Sequence, residues 1–193
     1  MRYILPCFFG SPIREYHHHG LVDKIAARFN LSYTRRQAIP AHFTLKYHFE
    51  TDEIAPVEGL LEAFARGHAA APVTVGGFGH FDEDVVYVGV SLSPAARAVL
   101  ADLFAELRRL AWMPWSSHDG EHLRPHMTIG EYCRPRFPEV WRYLEGRARH
   151  FDAALDNLTL LRQVGEEDGI TRWTVHRAFR LAGAPSAGAS PPP

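Results

Sequence analysis

From His42 to Phe49 polar and apolar side chains alternate without a break. His42, Thr44, Lys46 and His48 fall on one side, and Phe43, Leu45, Tyr47 and Phe49 on the other. An extended strand separates residues in this way, because its side chains point alternately to opposite faces. One face can pack on a core while the other stays polar and free to line a cleft. The pattern returns later in the chain, where Arg124, His126, Thr128 and Tyr132 share a face opposite Met127 and Ile129. Pro125 lacks an N–H, which places it at a strand start or edge. Each His/Thr pair therefore projects from one side of a stiff strand, with side chains about 7 Å apart.

The two strands also occupy the same place in a weak internal repeat. Strand, helix, then a strand carrying His-x-Thr is predicted near the N-terminus, and the same order recurs from residue 85. Strands are predicted at 2–9, 42–49, 72–80, 85–92, 125–132, 153–162 and 171–181, and helices at about 19–29, 54–66, 94–111 and 138–148. The third helix has the clearest start, with Ser93 as N-cap and Pro94 at the first turn. Gly76–Gly79 followed by Asp82-Glu83-Asp84 reads as one hairpin, and Gly165–Gly169 as a second. Strands and helices in this order predict an α+β protein of two similar lobes about a pseudo-twofold axis. The Pro/Ala/Gly/Ser composition from 183 onward cannot bury enough to order itself, so the expected domain is 1–182 with a disordered tail at 183–193.

Bulk properties narrow the function. With 193 residues and a formal charge of −1, there is no global basic field to draw in long duplex nucleic acid. The expected partner is a small nucleotide or an RNA terminus. No apolar run approaches the roughly 20 residues that cross a bilayer. The two cysteines, Cys7 and Cys133, offer no disulfide framework or metal spacing, so a reducing cytoplasm is the expected setting. The expected state is a monomer that uses neither cofactor nor metal.

Histidine titrates near neutrality, so a pair can supply both the base and the acid that phosphodiester hydrolysis needs. Threonine hydroxyls can donate to non-bridging oxygens as charge builds on phosphorus. Composition alone yields about half of one His-x-Thr match by chance, so the context of both motifs carries the argument. Pro40-Ala41-His42-Phe43-Thr44-Leu45 and Arg124-Pro125-His126-Met127-Thr128-Ile129 resemble the paired His-x-Thr/Ser-hydrophobic signature of the 2H phosphoesterase superfamily, the group of 2′-5′ RNA ligase-like proteins and 2′,3′-cyclic phosphodiesterases. The resemblance spans about residues 1–182. It implies two lobes, each an antiparallel sheet backed by helices, with a cleft between them.

It also implies catalysis by His42, Thr44, His126 and Thr128, with His42 as general acid and His126 as general base, although the twofold symmetry makes the reverse order chemically sound. The implied substrates are 2′,3′-cyclic phosphate ends or 2′-5′ linkages, with reversible 2′-5′ ligation in some members. The second motif continues as Gly130-Glu131-Tyr132, where many RNA-end-processing relatives carry a small residue and then arginine. That departure keeps open a non-RNA small cyclic phosphate, or a module that binds RNA ends without turnover.

Lys46, Arg124 and Tyr132 are the candidate substrate contacts, because strand register puts them on the motif faces. His17-His18-His19 reads as a solvated loop, since three consecutive histidines cannot face one ion on a regular element. His48 is expected at the periphery. His118, His122, Trp112 and Trp115 lie in the loop before the second motif, where an aromatic could stack on a base or anchor the loop.

Overall fold

A computed structural model describes residues 1–184, so most of the predicted tail lies outside the described residues. Eight strands form two antiparallel four-stranded sheets. In the first, β2 (His42–Glu50), β1 (Arg2–Phe8), β7 (Asn157–Glu167) and β8 (Ile170–Arg180) lie side by side; in the second, β5 (His126–Gly130), β4 (Val85–Leu92), β3 (Ala71–Phe81) and β6 (His150–Leu155) do so. The repeat is visible as geometry. Each motif strand is an edge strand, and each pairs with the strand that opens its repeat, β2 with β1 and β5 with β4.

The helices cover these sheets. A helical stretch begins at α1 (Ile13–Glu15), runs through a π-helical segment Tyr16–Val22 and ends in α2 (Asp23–Phe29). Although it joins the first two strands, it packs on the second lobe: the Tyr16 ring lies 5.3 Å from Phe151 of β6, and Phe29 lies 5.6 Å from Tyr143. Helix α3 (Tyr33–Gln37) follows, then α4 (Ala55–Gly67), α5 (Pro94–Arg108) and α6 (Phe137–Leu144). Ser93 caps α5 as its sequence predicts, its side chain accepting from Ala96 N at 3.1 Å. Leu100, Leu103, Phe104 and Leu107 form the buried face of α5. Both lobes feed one continuous core, from Leu5, Phe43 and Leu158 to Val75, Val88 and Met127.

Both predicted hairpins are present. Asp82 and Glu83 turn the first at φ 46° and 62°, and Asp168 and Gly169 turn the second at φ 49° and 70°. The predicted strand 153–162 is a correction. It is two strands, β6 and β7, lying in different sheets. Asn157 makes the break. Its side chain accepts from Phe8 N at 3.0 Å and donates to Phe8 O at 2.9 Å, taking the place of a ladder partner at the end of β1. The 17–19 histidine run is a second correction, because it sits inside the π-helical segment and not in a loop. Helix α3 carries no apolar periodicity and no buried residue, and it ends on left-handed Ala38.

Candidate active site

The motif strands approach each other where the two sheets meet. Near His42 the β1–β2 ladder is regular, pairing Phe8 with His42, Cys7 with Phe43 and Pro6 with Thr44. The register then slips, and Leu5 pairs with Lys46. Such a bulge places two residues of one strand opposite one of its partner, so alternation of faces is lost beyond it. Phe43 and Leu45 are buried and Thr44 half-buried as expected, but Lys46 turns inward with only 1% of its side chain exposed.

Lys46 is thus removed from the cleft face that simple alternation assigns it. Its ammonium donates to Asp119 at 3.0 Å and to the Tyr47 carbonyl at 3.2 Å, and it lies 5.3 Å from the Trp115 ring centre. Asp119 also accepts from Tyr47 N at 2.9 Å and from Ser116 N and Oγ, both at 2.8 Å. Burial alone would raise the Asp119 carboxyl; these hydrogen bonds outweigh it and hold the group below its ordinary range. This buried pair ties β2 of the first lobe to the loop that precedes the second motif. Trp115 anchors the same loop, its ring edge-on to Phe104 and 4.5 Å below the Arg108 guanidinium.

The two histidines stand in matching surroundings. His42 Nδ1 donates to the Pro40 carbonyl at 2.7 Å, and His126 Nδ1 to the Arg124 carbonyl at 2.6 Å. Each therefore bonds to the carbonyl two residues before it. That bond selects the neutral tautomer with its proton on Nδ1 and leaves Nε2 free to accept or, once protonated, donate. Each imidazole also meets a phenyl ring edge-on, Phe8 beside His42 at 6.0 Å and Phe81 beside His126 at 4.9 Å. Neither the Thr44 nor the Thr128 hydroxyl has a hydrogen-bond partner among the described residues.

Burial pushes His42 down to about 4, with the neighbouring His126 and His18 adding to the effect and the Pro40 carbonyl opposing it. His126 is lowered too, chiefly by burial, with the Arg124 carbonyl opposing. The pair is close enough that protonation of His126 disfavours that of His42. Such shifts are common where a protein tunes acids and bases for chemistry.

A cleft of about 1090 Å³ opens in front of the second motif. His126, Thr128 and Arg124 line it, together with Tyr47, His118 and Glu131. Arg124 precedes β5, which begins at His126, and reaches the cleft wall from the loop before it. Tyr47, which alternation puts in the core, reaches this cleft because of the bulge, and its ring lies 5.8 Å from His118. Tyr132 is elsewhere. The strand ends at Gly130, and Tyr132 adopts φ 58°, 57% exposed and edge-on to Tyr33 at 4.8 Å. Glu131 turns into the cleft in its place and accepts from Thr34 Oγ1 at 3.3 Å; burial and nearby Asp84 push its carboxyl up.

His17 is the residue that sequence reasoning most underrated. It is 4% exposed, and its Nε2 donates to the Thr128 carbonyl at 2.8 Å. Because β5 is an edge strand, its outward carbonyls have no ladder partner, and His17 supplies one from a helix of the first repeat. Burial drives His17 down to about 3, so it stays neutral, with Nδ1 as a buried acceptor lacking a partner among the described residues. His48 is peripheral as expected, exposed and stacked on Trp173 at 5.7 Å. Among the described residues no three His, Cys, Asp or Glu side chains are grouped to hold a metal ion, and no helix is long and apolar enough to cross a membrane.

Comparison with known proteins fits this picture. The chain is 29% identical over 154 residues to Putative phosphoesterase GK0864 of Geobacillus kaustophilus, covering 75% of this chain and 80% of that protein. It is 26% identical over 182 residues to a Putative phosphoesterase of Geobacillus thermodenitrificans, covering 86% and 96%. Among solved structures, TT0787 of Thermus thermophilus superposes with a TM-score of 0.65 at 17% identity, covering 95% of this chain and 100% of that one. LigT of E. coli, solved in complex with 3′-AMP, does so with a TM-score of 0.65 at 16% identity, covering 94% and 98%. These two likenesses establish the bilobal fold. The model of the 2′-5′ RNA ligase superfamily matches residues 15–167, and the chain belongs to that superfamily, the 2H phosphoesterases.

Proposed function

We propose that this protein is a metal-independent phosphodiesterase that opens 2′,3′-cyclic phosphates or cleaves 2′-5′ linkages on RNA ends or small nucleotides. The observation that carries the reading is the matched setting of His42 and His126, each with Nδ1 held by the carbonyl two residues back, Nε2 free, and an unengaged threonine two residues on. In hydrolysis one Nε2 takes a proton from water as its oxygen attacks phosphorus. The other gives a proton to the ribose oxygen as its bond to phosphorus breaks. Thr44 and Thr128 donate to the non-bridging oxygens, and Arg124 at the cleft wall balances the phosphate charge. The free histidines are held neutral by burial, so the anionic substrate itself supports the protonated form of the acid. In 2′-5′ ligation a ribose 5′-hydroxyl replaces water: one histidine takes its proton as its oxygen attacks the cyclic phosphate, and the other protonates the departing 3′ oxygen. The reverse of that step cleaves the 2′-5′ link.

LigT, which shares the fold, was solved with 3′-AMP, and this supports a nucleotide as the ligand class. The Glu131 carboxylate in the cleft favours the second reading, a small cyclic phosphate outside RNA, because it disfavours further phosphates near it. A screen of purified protein with EDTA present, against 2′,3′-cyclic nucleotides, 2′-5′ oligoadenylate and ADP-ribose cyclic phosphate, separates these readings. Turnover of a nucleotide substrate is expected. Activity that disappears on chelation and returns with a divalent ion would refute the mechanism.

A further inference from the structure

Tyr16, Gly20, Lys24 and Arg28 recur every four residues along the helix that crosses the second lobe. Residues at this spacing form a stripe on one helix face. Opposite the stripe runs the segment that closes α6 and leads into β6, and between them lies a groove of about 510 Å³. Tyr16, Lys24, Tyr143, Arg147 and Arg149 line it. The arginines lie over the rings: the Arg149 guanidinium is 5.6 Å from the Tyr16 centroid, and those of Arg147 and Arg28 are 4.4 and 5.4 Å from that of Tyr143. A Cβ at Gly20 would meet the Tyr16 ring at 3.2 Å, so glycine keeps space open beside the ring.

Four cations gather here, Lys24, Arg28, Arg147 and Arg149, and none meets a carboxylate within ion-pair distance among the described residues. In a chain of net charge −1, four such cations beside one groove make a local positive field. Glu15 is the acid at the rim, and it is engaged by Ser11 and Arg14. None of the large exposed hydrophobic side chains, Met1, Trp112, Tyr132 and Val164, lies at the groove, so it lacks the apolar face that inserts into a bilayer. Cations spaced along a groove, with flat guanidinium planes among them, are chemistry that tracks the phosphates of a single strand.

We propose that this groove binds the sugar-phosphate backbone of a single-stranded RNA whose terminus is processed in the cleft. Tyr16 faces the groove while His17, the next residue, reaches the Thr128 carbonyl of the second motif. One helical segment therefore touches both the groove and the strand that carries the second motif. The inference rests on reading the cleft as a phosphodiester site, but its test does not depend on turnover.

The test is fluorescence anisotropy of a labelled single-stranded oligoribonucleotide about a dozen residues long. Full-length wild-type chain is compared with the variant carrying Lys24→Glu, Arg147→Glu and Arg149→Glu. The dissociation constant should rise at least about tenfold, and the log–log salt slope should fall by about 2, at roughly 0.7 for each phosphate no longer neutralised. Turnover of a 2′,3′-cyclic mononucleotide, where present, should stay within about twofold, because these side chains are outside the cleft. Glutamine at the same three positions gives the same direction without charge reversal, and only variants that melt like wild type are compared. Unchanged affinity and salt slope would overturn the proposal. So would equal loss of mononucleotide turnover, or wild-type binding to phosphatidylserine vesicles in preference to RNA. If the wild type binds RNA through the groove yet hydrolyses no phosphodiester, the reading of the cleft fails and that of the groove stands.

Discussion

Replacing Lys46 with methionine should weaken the fold while leaving the volume of the site nearly unchanged. The Lys46–Asp119 pair is buried, with both side chains 1% exposed. Removing one member of such a pair leaves an uncompensated charge, which costs about 3–5 kcal/mol. The structure orders the two halves of the pair. After Lys46→Met, Asp119 keeps three donors, Tyr47 N and Ser116 N and Oγ, so the loss should sit near 3 kcal/mol. After Asp119→Ala, Lys46 keeps only the Tyr47 carbonyl and the Trp115 face, and two backbone amides lose their acceptor, so about 5 kcal/mol is expected. With a urea slope of about 2 kcal/mol/M, the midpoints should fall by about 1.5 and 2.5 M. Equilibrium urea unfolding followed by tryptophan fluorescence and circular dichroism measures both. A loss under about 1 kcal/mol for Lys46→Met, or a larger loss for it than for Asp119→Ala, would refute this reasoning.

The buried histidines set the pH response of stability. Their folded values of about 3 for His17 and about 4 for His42 lie below the unfolded value near 6.5, so the unfolded chain takes up protons first on acidification. Their contribution should be complete above about 6.5 and decline as pH falls towards 4, by several kcal/mol at about 1.36 per unit; a flat urea midpoint over that window would contradict it. In rate measurements, kcat/KM should follow a bell centred on the acid side of 6.5, since both motif histidines are depressed; a centre above 7 would show that other groups titrate. His17→Leu should lower kcat about tenfold by releasing the Thr128 carbonyl, whereas His17→Gln, which can still donate from its amide, should recover most of it; equal rates in both variants would remove His17 from the account. Thr44→Ala and Thr128→Ala should each slow turnover roughly ten- to a hundredfold, the worth of one hydrogen bond to a charged oxygen, and unchanged rates would deny them contact with the phosphate.

Where periodicity is local and strong, the sequence is a good guide to this structure. The His42–Leu45 alternation, the Ser93 cap and the Asp-rich and Gly-rich turns appear in the fold because each depends on a few neighbouring residues. The bulge after Thr44 depends on how β1 pairs with β2, and no pattern in β2 announces it. It is what buries Lys46 and brings Tyr47 to the cleft. Asn157 divides one apolar run into two strands by capping β1, a partner far away in the chain. His17 looks like part of a polar tract until the helix carrying it is laid against an edge strand of the other lobe. The signal that could have drawn notice to Asp119 is its place beside Gly120, whose φ of 64° tightens the loop between two cleft-lining histidines.

The central claim is that His42 and His126 act as one acid–base pair, and turnover of a 2′,3′-cyclic nucleotide by His42→Ala and His126→Ala tests it most directly. Each variant should lose at least about a hundredfold in rate while keeping the wild-type fold by circular dichroism. The double variant should be little slower than either single one, because residues that act as a unit are far from additive. A substrate with a much better leaving group should restore part of the rate in the variant that lost the acid, His42→Ala by the family resemblance, and not in the other. A near-wild-type rate in either single variant would contradict the two-histidine mechanism.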